Sequence, residues 1–186
     1  MRTNSHALAS WFGPHDGSLF DLDIAFVSPG GVTAAFDALF ARHGGRNVAK
    51  HACLWLRAEE TEVPFAGPGD ARRVIDGTAD GFHVLLGGLV VDGVALPDIG
   101  VCVHADMLGF DFAPGPEWSD AAIAAFIALL ASLRIHGGRL DTTSAGIEST
   151  AAFRRAIDAI ALPGAMQLSR QPSPAAPANR ARSRTD

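Results

Sequence analysis

The stretch 81–115, GFHVLLGGLVVDGVALPDIGVCVHADMLGFDFAPG, constrains the fold more than any other. It holds three short apolar strands separated by glycine-bearing turns, Asp92-Gly93 among them. Strands joined so tightly fold back on one another, because a parallel crossover needs a connection of about a dozen residues or more. The expected class is therefore α+β, with a single mainly antiparallel sheet and helices packed on it.

The flanking segments fit that frame. In SLFDLDIAFVSP, Phe20, Leu22, Ile24 and Phe26 face one way and Asp21 and Asp23 the other. That alternation predicts a half-buried strand ended by Pro29-Gly30-Gly31. VTAAFDALFARHGG then sets Val32, Phe36, Leu39 and Phe40 on one helical stripe, closed by Gly44-Gly45. KHACLWLRAEETEV is apolar on both faces over its first half, which predicts a central strand. GDARRVIDGTAD predicts a short helix with Asp70 as its N-cap. In PEWSDAAIAAFIALLASLRIHGG, Ser119 caps the clearest helix, and Trp118 and Ile123 occupy the two positions of a hydrophobic staple. RLDTTSAGI predicts an edge strand, and ESTAAFRRAIDAIAL a last helix with Phe153, Ile157 and Ile160 inward, stopped by Pro163.

The chain has 186 residues, 48% of them hydrophobic, enough for one domain with a substantial core. We place that domain at 1–168. Residues 169–186, rich in Pro, Ala, Ser and Arg, hold no large apolar side chain and are expected to be a disordered tail. The tail carries four arginines and one acid, so the net charge of −5 for the whole chain leaves −8 on the first 168 residues. A body this acidic argues against nucleic acid as a partner, since phosphate backbones need clustered Lys and Arg. It suits a basic partner, although ordinary solubility explains the same charge. Two cysteines make no disulfide framework, the N-terminus has no signal-like apolar run, and glycines, Asp92, Pro97 and Asp98 interrupt the most apolar stretch. The expectation is a cytoplasmic protein with no membrane contact.

Side chains able to do chemistry are few. GVCVHADML carries Cys102, His104 and Asp106 at every second position, and KHACLWLRAE carries His51, Cys53 and Trp55 at the same spacing. Were these strands antiparallel neighbours in register, His51, Cys53, Cys102 and His104 would make a zinc-competent donor set. The structural alternative treats the cysteines as small buried hydrophobes and the histidines as strand-end residues. Cys102 and His104, about 7 Å apart along one strand, are too distant for a thiol–base pair. Asp106 with Asp111 could form a two-carboxylate site, while Asp21 and Asp23 read as the wet face of a sheet. SPGGV lacks the Lys-Ser/Thr of a P-loop and the third glycine of a dinucleotide fingerprint. Gly-x-Ser-x-Gly and His-Glu-x-x-His are absent. No catalytic, metal or cofactor residue is assigned. A small enzyme or metal-binding or ligand-binding domain using His, Cys and Asp of the central strands remains the alternative.

Two stretches suit contact better than catalysis. SWFGPHDG puts Trp11 and Phe12 before a Gly-Pro turn, and APGPEW puts Glu117 and Trp118 in a Pro-rich corner. Aromatic rings beside acids are common interface anchors. An acidic α+β chain with WFGP early and FAPGPEWS before an amphipathic helix resembles the immunity proteins of bacterial polymorphic and type VI secretion toxin systems. The resemblance spans roughly residues 10–160 as an order of elements. It implies tight one-to-one binding of a cognate protein toxin, a basic nuclease being the type that fits the charge, with neither catalytic residues nor a cofactor.

Overall fold

The computed structural model describes residues 8, 11–13, 17, 19–141 and 147–160. The predicted tail from Ser169 and the helix stop at Pro163 lie outside them. The class is α+β with a mainly antiparallel sheet, as expected. In chain order the strands are β1 (Phe20–Phe26), β2 (Arg46–Asn47), β3 (Cys53–Leu56), β4 (Thr61–Pro64), β5 (Phe82–Gly87), β6 (Val90–Val91), β7 (Val94–Ala95), β8 (Ile99–Val103), β9 (Met107–Phe112) and β10 (Gly138–Leu140). The helices are α1 (Pro29–Ala41), α2 (Ala71–Ile75), α3 (Asp120–Ser132) and α4 (Ile147–Asp158). Six strands form one sheet in the order β10-β1-β9-β8-β5-β2, and β3-β4 and β6-β7 are separate hairpins. None of the helices is long and apolar enough to cross a membrane among the described residues.

Period-two alternation gives the main sheet two unlike faces. Leu22, Ile24, Phe82, Val84, Leu86, Ile99, Val101, Val103, Leu108, Phe110 and Phe112 point into the core. Phe36 of α1 meets Phe82 edge-on at 5.8 Å, and Phe126 of α3 meets Phe112 at 5.2 Å. Both helices therefore lie on this face. Phe153 and Ile157 of α4 are buried too, and α4 packs against α3. Burying each large apolar side chain contributes about 1.5–3 kcal/mol, so this single layer of contacts dominates the stability.

Helix starts follow their caps. Ser119 Oγ accepts from the Ala122 N–H at 3.2 Å, and both staple residues, Trp118 and Ile123, are buried. At α1, Ser28 is the cap and Pro29 stands in the first turn, so the helix begins three residues before Val32. Proline is tolerated there because its missing N–H would have no helical partner. Asp70 does not cap α2 through its side chain; its Oδ2 instead accepts from the Ala66 N–H at 2.7 Å.

The strand predicted at the centre from residues 50–63 is a hairpin. β3 pairs with β4, with Cys53 opposite Pro64 and Trp55 opposite Glu62. Leu54 supplies the buried side, while Trp55 is 43% exposed. Local apolarity on both faces did not mean burial on both. The centre of the main sheet belongs to β9 and β8, and β10 takes the predicted edge.

Candidate functional site

The second face of the main sheet points away from the helices. It carries Asp21 and Asp23 of β1, Gly109 and Asp111 of β9, Gly100 and Cys102 of β8, and His83 and Leu85 of β5. No non-glycine side chain among these is fully buried, so no described element lies over them. Register brings the polar ones together. His83 stands opposite Cys102, Cys102 opposite Gly109, and Asp111 is flanked by Gly100 on one side and Asp21 on the other.

His83 Nε2 donates to Asp111 Oδ2 at 2.8 Å, although the two residues sit on strands separated by β8. Gly100 makes this reach possible. A Cβ at that position would collide with the Asp111 carboxylate, which lies across the bare backbone of β8. Gly109 does the same beside Cys102: a Cβ there would sit 3.0 Å from Asp23 Oδ1 and 3.3 Å from Cys102 Cβ. Two glycines thus form the floor of a polar cluster. Donor atoms of His83, Cys102 and Asp111 all lie within 4.8 Å of one another.

The cluster is electrostatically loaded. Burial raises the Cys102 pKa above its ordinary value, and Asp111, Asp21 and Asp23 push it further. At neutral pH in the metal-free protein the group is a thiol, the wrong form for a nucleophile. Burial, then Asp111, then Asp23 raise the pKa of Asp21. Among the described residues, no Lys or Arg forms an ion pair with Asp21, Asp23 or Asp111.

Next to the cluster a groove of about 500 Å³ runs along the sheet end. Leu19, Leu85, Pro97 and Ala113 make it partly apolar, and Asp98, Asp111 and Glu117 line it with carboxylates. Asp98 and Glu117 are exposed. Two arginines stand at the edges of this face: Arg139 of β10, opposite Ala25, and Arg46 of β2, opposite Gly87.

The residues singled out from sequence fall in several places. Glu117 lines the groove, whereas Phe12 and Trp118 are 2% and 6% exposed. Phe12 stacks on Phe112 at 4.9 Å and meets Trp118 at 4.7 Å, and Trp118 Nε1 donates to the Ala113 carbonyl at 2.8 Å. Their rings are committed to packing and present no contact surface in this chain. Trp11 is half-buried, edge-on to Phe20. The donor set of His51, Cys53, Cys102 and His104 does not assemble: Cys53 is on the separate β3-β4 hairpin, His51 is exposed beside it, and Cys102 faces His83 instead. His104 and Asp106 lie in the turn between β8 and β9, and Asp111 is near the far end of β9, so the two carboxylates stay apart. His83 was missed. Its signal was the same alternation that marked Asp21, since His83 and Leu85 fall off the apolar face of FHVLLG.

Comparison of the chain with protein-family models, with curated proteins and with solved structures finds no match.

Proposed function

We propose that this chain is a non-catalytic binding protein whose open sheet face docks a basic protein. In its particular form, the partner is a cognate toxin that the chain neutralises, as the immunity proteins it resembles do. The observation supporting this is the make-up of one face: Asp21, Asp23, Asp98, Asp111 and Glu117 around Leu19, Leu85 and Pro97. Asp111 is bonded to His83, but the other four carboxylates have no described Lys or Arg partner. Such free charges steer a cationic partner and select against acidic ones, and the apolar floor supplies burial once contact is made. The same charges repel nucleic-acid backbones. A thiol held protonated beside three carboxylates also weighs against nucleophilic catalysis.

Co-expression with the product of a toxin-domain gene adjacent to its own tests the reading. The expected result is a one-to-one complex that weakens as salt rises, together with protection of the host from the toxin. Absence of both complex and protection at low salt would contradict it.

A further inference from the structure

We propose that His83, Cys102 and Asp111 are the three protein ligands of a zinc site whose fourth position faces solvent. This goes beyond the docking reading and does not rest on it. One imidazole, one thiol and one carboxylate converge from three adjacent strands, β5, β8 and β9. The mixture suits zinc, whereas magnesium and calcium prefer oxygen donors throughout. Three protein ligands with one open position is the pattern of zinc sites that keep an exchangeable water.

The geometry is close to what the ion needs. Bonds of about 2.0–2.3 Å in a tetrahedron put donors about 3.3–3.8 Å apart. The present set spans 4.8 Å at most, and His83 Nε2 lies 2.8 Å from Asp111 Oδ2. That pair opens by about 1 Å or less on coordination. His83 has the freedom to do so, its side chain being 48% exposed, whereas Asp111 is held at 18%. The strands themselves stay put, since the ladder from β5 through β8 to β9 is continuous.

The surroundings favour a cation independently of the donors. Gly100 and Gly109 remove the side chains that would otherwise fill the space between Asp111, Cys102 and Asp23. A bare strand at both positions is costly for sheet stability, because glycine packs nothing and loses more backbone entropy than other residues. Asp21 and Asp23 add negative charge without taking a described Lys or Arg. On binding, the Cys102 thiol gives up its proton to solvent, and His83 ligates through an imidazole nitrogen that carries no proton.

The test is calorimetric titration of untagged protein with zinc chloride, run in two buffers of different ionisation enthalpy. One zinc per chain with proton release is expected. Cobalt in its place should show a thiolate-to-cobalt charge-transfer band. Outer-shell changes at zinc sites cost about 10–100-fold in affinity, so Cys102→Ser and His83→Asn should each weaken zinc by about 100-fold or more. Cys53→Ser should leave it unchanged. Alkylation of the wild-type chain covers the case where a variant fails to fold: zinc should protect Cys102 from iodoacetamide and leave Cys53 at its metal-free rate. No stoichiometric zinc, zinc that persists in both ligand variants, or protection at Cys53 instead of Cys102 would each overturn the site.

Discussion

His43 is buried at 6% exposure just after α1, where its Nδ1 meets the Val90 carbonyl at 3.3 Å. A carbonyl only accepts, so Nδ1 carries the proton and Nε2 has no partner among the described residues. Burial pulls the pKa of His43 below its ordinary 6.5, and Arg42 adds to the shift; the opposing pull of Val90 and Asp92 is weaker. Between the folded value and 6.5 the unfolded chain holds more protons than the folded one. Stability therefore rises with pH across that window and is lost as pH falls from 6.5 through the folded value. Urea unfolding on either side of the window should show this slope, and His43→Leu should flatten it. An unchanged slope would mean that another group carries the acid sensitivity.

Among the elements, the two long core helices start on serine caps of unequal weight. The Ala122 N–H reaches Ser119 Oγ at 3.2 Å, and its loss in Ser119→Ala should cost about 1 kcal/mol. The Gly31 N–H already reaches the Ser28 carbonyl at 2.9 Å, with Ser28 Oγ farther off at 3.3 Å. Ser28→Ala should cost less, and denaturant midpoints of the two variants should fall in that order. The Ser119 cap and the alternation in β1 were legible in the sequence because both signals are local, whereas the Ser28 cap was not read and α1 begins at Pro29 rather than Val32. Strand adjacency was not legible. Nothing near residues 53–56 tells Cys53 that its neighbour is Pro64, since that pairing depends on the turn at Glu59 and Glu60 and on where Leu54 can reach the core. The donor cluster was half legible for the same reason: Cys102 and Asp111 stood out, whereas His83 joins them only through the register of β5 on β8.

Across the whole molecule the layers divide the work. The helices and the inner sheet face hold the fold, with Phe12, Phe112, Trp118 and Phe126 packed as one aromatic group. Tryptophan and phenylalanine near a Pro-rich corner suggested contact in the sequence, but the same rings fill the space between β9 and α3. The outer sheet face is left to acids and a shallow apolar groove. Charge on this face, not net charge, is what a basic partner would read. Affinity of the cognate partner for three single variants, at low and at raised salt, tests this most directly. Asp98→Lys and Glu117→Lys change the open face, and Asp37→Lys makes the same charge change on exposed α1 in the opposite layer. The expected result is about a tenfold or greater loss, with reduced salt dependence, for the two open-face variants and near-normal binding for Asp37→Lys. Equal losses in all three, or loss confined to Asp37→Lys, would contradict the assignment of the open sheet face as the binding surface.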